Sequence, residues 1–200
     1  MKKVKTNAKK GFTIIEVVLV LAIAGLIFLM VFVALPNLQR TQRDTQRRND
    51  VDRVQTSLIQ YVTNNNQVPS GGSDAFEITP DMGVDENHVW RKFARNYLAA
   101  DGDTFEDPNG SPYYMQTIAC TSESCVSNLL DAKFGDASYA VGEGEGATTT
   151  EIDGGIIVVA ANAQCGAEVE NNAFEYTSGK RSFAVAMRLE GNGVYCVDNH

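Results

Sequence analysis

The residues with the most chemical content open the chain, where Lys9-Lys10-Gly11-Phe12-Thr13-Ile14-Ile15-Glu16 runs into a long apolar stretch with Glu16 as its only charge. An ionised carboxylate within a membrane-spanning helix is expensive, so a chain that keeps one there usually has a partner for it. The Gly11–Phe12 junction offers a second chemistry. A secretory signal is cut after its apolar region, at small residues. Here the junction precedes the apolar region, so hydrolysis would leave the helix on the product, and Gly11 gives a protease room to approach the backbone. Elsewhere reactive residues are sparse. His88 and His200 are the only histidines, neither with a motif-spaced partner, and no P-loop, Gly-x-Ser-x-Gly or His-Glu-x-x-His occurs. The acidic groups Asp101/Asp103/Glu106/Asp107 and Glu143/Glu145/Glu151/Asp153 offer oxygen ligands of the kind calcium takes. Neither follows the EF-hand pattern, and solvated acidic loops are commoner. No catalysis, cofactor or metal is expected.

The segment from Lys9 to Glu16 resembles the processing site and helix start of type IV pilins and pseudopilins: a basic leader ending in Gly, a mature chain starting with Phe, and Glu four residues later. The motif covers the N-terminal quarter; the remainder matches only in layout. The resemblance implies that prepilin peptidase cuts Gly11–Phe12 and N-methylates the new Phe12 amine. It implies a single-pass precursor in the cytoplasmic membrane with its head outside. The assembly platform and its ATPase would then move the chain from lipid into a helical homopolymer on the cell surface, with this chain as the major pilin. Glu16 would pair with the Phe12 amine of a neighbouring subunit, setting the axial register. The family also has a Gly and a Pro bounding a segment that melts on assembly. Gly25 matches that Gly, whereas Pro36 lies three residues beyond the usual Pro, where this chain has Val33. Pseudopilins and minor pilins of secretion or competence machines share this construction. A signal-anchored ectodomain, from another functional class, would not need the cut.

These residues need a helix to carry them. Val17–Leu35 has no formal charge, and nineteen residues at ~1.5 Å each reach roughly 28 Å, about one hydrocarbon core. Beyond it Asn37–Arg53 is polar, and Val51, Val54, Leu58, Tyr61 and Val62 recur at helical spacing. The spacing predicts a stem to about Asn64 whose second half packs into a head. The expected organisation is therefore a leader at 1–11, an assembly helix at 12–36, a stem at 37–64 and a head at 65–200. Charge divides the same way. Residues 1–64 hold ten Lys/Arg against four Asp/Glu, a net +6; residues 65–200 hold seven against twenty-one, a net −14. The leader lysines favour a cytoplasmic N terminus, but the stem arginines 40, 43, 47, 48 and 53 keep that rule from deciding alone. An acidic head lacks the basic footprint needed to grip nucleic acid.

Within the head, Glu86–Ala99 reads as a short amphipathic helix with Trp90, Phe93, Tyr97 and Leu98 inward. Asp107-Pro108-Asn109-Gly110 reads as a turn before a strand at Tyr113–Ile118. Further strands are expected at Ser138–Val141, Ile156–Ala161, Ser182–Leu189 and Val194–Val197, the last two joined by a hairpin at Glu190-Gly191-Asn192-Gly193. Gly142–Asp153 reads as an acidic loop. The fold class is α+β: a long N-terminal helix against an antiparallel sheet. Four cysteines, all in the head, suit an oxidising compartment and two disulfides. Three pairings are possible; order along the chain favours Cys120–Cys125 and Cys165–Cys196. Their spacing lacks the paired short knuckles of a four-cysteine zinc site. The resemblance places the Cys165–Cys196 pair around a C-terminal region exposed on the filament.

Overall fold

The computed structural model describes residues 11–69, 74–80, 82, 88–100, 105–122, 125, 138–141, 148–151, 155–166, 174–191 and 193–200. The leader residues 1–10, the Ser70-Gly71-Gly72 part of the turn after the stem, the start of the Glu86–Ala99 helix and the central Asn192 of the hairpin lie outside them. So do Asp101, Asp103, Glu143, Glu145 and Asp153 of the acidic groups. The chain divides into two compact units, Met1–Arg40 and Thr41–His200.

One helix, α1 (Ile14–Asn65, 52 residues), dominates the N-terminal half of the sequence. In the first unit it is bare: none of residues 11–40 is buried, and Ile14, Phe28 and Phe32 are 85%, 66% and 72% exposed. An 18-residue window of α1 has a mean hydropathy of 3.2, long and apolar enough to cross a membrane once. The helix continues through Gly25 and Pro36. It ends where Asn66 takes a left-handed conformation, φ 60°, with its N–H bonded to the Val62 carbonyl; asparagine tolerates that backbone better than most residues.

In the second unit the stem buries Arg47, Val51, Val54, Ser57, Leu58 and Val62 against a five-stranded sheet. The strands are β1 (Asp74–Glu77), β2 (Tyr114–Ala119), β5 (Ile156–Ala161), β8 (Phe183–Arg188) and β9 (Val194–Asp198), in the order β1-β2-β5-β8-β9. All neighbours are antiparallel except β2 and β5, which run parallel in register Tyr114↔Ile156. That parallel pair requires a crossover; the intervening chain contains the hairpin of β3 (Ser138–Val141) and β4 (Thr148–Glu151). A second small ribbon pairs β6 (Ala163–Cys165) with β7 (Phe174–Tyr176).

Side-chain alternation explains the layering. In β8, Phe183, Val185 and Met187 join the stem core, while Ala184 and Ala186 join a second cluster with Cys120, Ala163 and Phe174. Large residues thus meet the helix, and small ones admit the β6–β7 ribbon. β5 reads as an unbroken apolar run because both its faces are covered. The short helix α2 (Val89–Phe93) continues into a π-helical turn, Ala94–Leu98, closed by the Ala99 N–H on the Ala94 carbonyl. This places Trp90, Phe93 and Leu98 in the core, with Phe93 stacked on Tyr97 at 5.3 Å.

Three expectations about strands need adjustment. The sheet carries the one parallel pair. Thr148–Glu151, read as part of an acidic loop, is strand β4; its consecutive threonines are β-branched residues that favour a strand. β1, β6 and β7 were too short to stand out by periodicity.

Candidate assembly site

In the head unit, Arg43, Asp44 and Arg47 form a collar with two turns. The Arg47 guanidinium is fully buried and grips Asp107 through two bonds, Nε to Oδ2 at 2.7 Å and Nη2 to Oδ1 at 2.8 Å. Its Nη1 reaches Glu190 Oε1 at 2.8 Å and Asp44 Oδ1 at 3.2 Å. Arg43 holds Glu190 through Nε and Nη2 at 2.8 and 2.7 Å. Asp44 then accepts the backbone N–H groups of Glu190 and Gly191 at 3.0 and 3.1 Å. Asp107 serves two structures at once, because its Oδ1 also accepts the Asn109 N–H at 3.0 Å and shapes the turn ending at Gly110, φ 88°.

The electrostatics follow from this geometry. Hydrogen bonds from Arg43 and then Arg47 hold the Glu190 carboxyl down to about 2, against the effect of partial burial. Burial works to lower the Arg47 guanidinium, but its bonds to Asp107 and Glu190 outweigh that and leave it raised. One turn further along, Tyr113 donates to Asp50 at 2.7 Å; burial raises the Asp50 carboxyl and, together with that bond, the Tyr113 hydroxyl. Tyr195 donates to Asp52 at 2.9 Å, Gln55 to the Asp198 carbonyl, and Arg53 to the Leu98 carbonyl at 2.9 Å. Arg48 lies over the Tyr195 ring and Arg53 over Phe105. The stem arginines 43, 47, 48 and 53 are therefore engaged within the chain. Disulfides join Cys120 to Cys125 and Cys165 to Cys196; the second ties β6 to the edge strand β9.

At the chain start, the helix is closed by its own side chains. Glu16 Oε2 accepts the Thr13 N–H at 2.9 Å and the Thr13 hydroxyl at 2.8 Å, while Thr13 Oγ1 accepts the Glu16 N–H at 3.4 Å. This is a capping box, in which Thr-x-x-Glu satisfies helix-start donors reciprocally. Phe12 stands 89% exposed beside it, and a side chain built at Gly11 or Gly25 would meet nothing within 4 Å. Residues 6–32 match the family model of the prokaryotic N-terminal methylation motif. That match, confined to the N-terminal segment, supports a type IV pilin-like prepilin. No curated protein and no solved structure matches it. The motif's family is structural rather than enzymatic, and the motif implies processing by prepilin peptidase and pilus assembly. A basic leader followed by an apolar helix fits a membrane-anchored precursor.

Glu16, Gly25 and Pro36 lie on the exposed first part of α1, and Gly11 and Phe12 lie exposed just before its start. Glu16 meets Thr13; no bond joins it to the other four among the described residues. Of the acidic groups considered for calcium, Asp107 has its carboxylate committed to Arg47, whereas Glu106 is exposed. Sequence reasoning passed over Thr13 and the collar. Thr13 was legible as the first residue of Thr-x-x-Glu. The collar had only a weak signal, two arginines four apart on a stem whose remote partners no spacing could name.

Proposed function

We propose that this chain is the structural subunit of a type IV pilus, and specifically its major pilin. Prepilin peptidase cuts Gly11–Phe12 and N-methylates Phe12, which keeps the amine cationic. Residues 12–36 hold the subunit in the cytoplasmic membrane until the assembly platform and its ATPase extract it into a helical homopolymer. The observation that carries this reading is the bare first half of α1, apolar on every side, with a single carboxylate at its start. Such a surface is stable only in lipid or among like helices. Both Thr13 donors to the Glu16 side chain bond Oε2. That leaves Oε1 as the atom to receive the Phe12 amine of a neighbour, so a carboxylate compensated locally in lipid becomes ion-paired in the filament.

The test is mass spectrometry of surface-sheared filaments, with Glu16→Gln alongside. The expected result is this chain as the bulk component, beginning at N-methylated Phe12. Gln still supports the Thr13 capping box, so the variant removes charge while preserving the helix start. It should be inserted and cut normally yet yield few filaments. Filaments retaining Met1–Lys10, or normal yield from Glu16→Gln, would sink the reading. Trace amounts in filaments built of another chain would instead identify a minor pilin or pseudopilin.

A further inference from the structure

We infer that the collar of Arg43, Asp44 and Arg47 fixes how far α1 can unwind, arresting melting at Arg43. This rests on the pilin reading above and moves the C-terminal limit of melting from Pro36, where the resemblance bounds it, to Arg43. Unwinding has a natural origin at Pro36, which lacks an N–H, so the carbonyl four residues earlier, at Phe32, loses its helical donor. Proline sites are where helices most readily kink or open. Around Pro36 little side-chain packing opposes the change, since no residue from 11 to 40 is buried.

Conditions change abruptly at residue 43. Continuing past it would break the paired bonds of Arg43 to Glu190 and release two backbone N–H groups from Asp44. The next turn would pull Arg47 from Asp107, leaving two buried charges unpaired. Beyond it lie Val51 and Val54, both fully buried. Local unfolding follows low contact density and stops at cooperative units. The collar is such a boundary, and its partners are the Asp107 turn and the β8–β9 hairpin. Axial load reaching the stem therefore passes into β8 and the disulfide-tied β9 at this point.

Hydrogen exchange read by mass spectrometry tests this on the full mature chain, both as filaments and as detergent-solubilised subunits. The first four N–H groups of a helix that begins at Arg43 have no intrahelical partner, so in both, amides 37–46 should exchange at least tenfold faster than amides 47–50, and any extra exchange in filaments should end before Arg47. Glu190→Gln should speed exchange of 47–50 at least tenfold while 51–62 and β5 stay protected. If Glu190→Gln loosens the whole head, Arg43→Gln decides by the same criterion, since it leaves every Arg47 bond in place. Exchange that spreads across 47–50 in unmodified filaments, or protection there that both variants leave unchanged, overturns the inference. Failure to form filaments would defeat the pilin reading alone, because the comparison in detergent still decides the collar.

Discussion

Replacing Arg47 with Met removes the charge at the centre of the collar while keeping an unbranched apolar stem in the same space. Asp107, whose side chain is completely buried, would lose both guanidinium bonds and retain the Asn109 N–H. Breaking a buried pair from one side costs about 3–5 kcal/mol, mainly because the remaining charge stays desolvated. That is a large share of the ~5–15 kcal/mol that holds a typical domain together. Adding Asp107→Asn removes the stranded charge but preserves the carbonyl that shapes the turn. The double variant should recover about 2 kcal/mol relative to Arg47→Met. Asp107→Asn alone should cost less than Arg47→Met, since Arg47 keeps Glu190 and Asp44. The chain provides its own reporter. Its one tryptophan, Trp90, is 3% exposed and belongs to the stem core, so denaturant unfolding in detergent micelles can be followed by fluorescence. A loss below about 1 kcal/mol for Arg47→Met, or strictly additive effects in the double variant, would refute a coupled buried pair.

Glu190 titrates at about 2 in the folded head against an ordinary 4.5, so its contribution is complete above pH 4.5 and fades as pH falls toward 2. At ~1.36 kcal/mol per unit the upper bound is about 3 kcal/mol, and solvent screening reduces it to about 1–2; the gap between wild type and Glu190→Gln in pH-dependent unfolding should close over that window. Gly155→Ala should cost about 1–3 kcal/mol in the same assay, because its Cβ would lie 2.0 Å from Met187 Cε, 2.8 Å from Asp107 Oδ2 and 3.0 Å from Tyr113 Cε1. Met187 can swing away; Asp107 and Tyr113 are held. Thr13→Val should fray the first helical turn, seen as faster amide exchange at Glu16 and Val17, while Glu16→Gln leaves that turn intact. Reducing Cys165–Cys196, whose cysteines are 31 apart in sequence, should lower head stability by roughly 3–4 kcal/mol, with β9 exchanging first.

The stem was legible because its signal is periodic and local: Val51, Val54, Leu58 and Val62 repeat at helical spacing, and all four are buried. The same holds for β5 and β8, whose apolar runs the structure reproduces within a residue at each end. What escaped is non-local or short. The parallel pairing of β2 with β5 depends on how the intervening 36 residues cross over, and no local pattern encodes that. The three-residue strands β6 and β7 owe their existence to the alanine face of β8, a complement visible only once the sheet is assembled.

Glu16 and Arg47 are two answers to one physical problem, an ionisable group on a helix that must be surrounded by nonpolar matter. Sequence made Glu16 conspicuous because its whole neighbourhood is apolar. Arg47 was inconspicuous because its neighbours in sequence are polar, although it is the more deeply buried of the two. The fold compensates Arg47 completely from within, with carboxylates 60 and 143 residues away. Glu16 receives only the local compensation of Thr13, three residues back. A charge satisfied by its own fold serves that fold, and its loss should appear as instability of the isolated subunit. A charge left with local help alone retains capacity for an outside partner, and its loss should appear only when subunits meet. The two arms therefore predict opposite phenotypes for two substitutions on one helix: an unstable head with a normal assembly interface for Arg47→Met, and a stable head that polymerises poorly for Glu16→Gln.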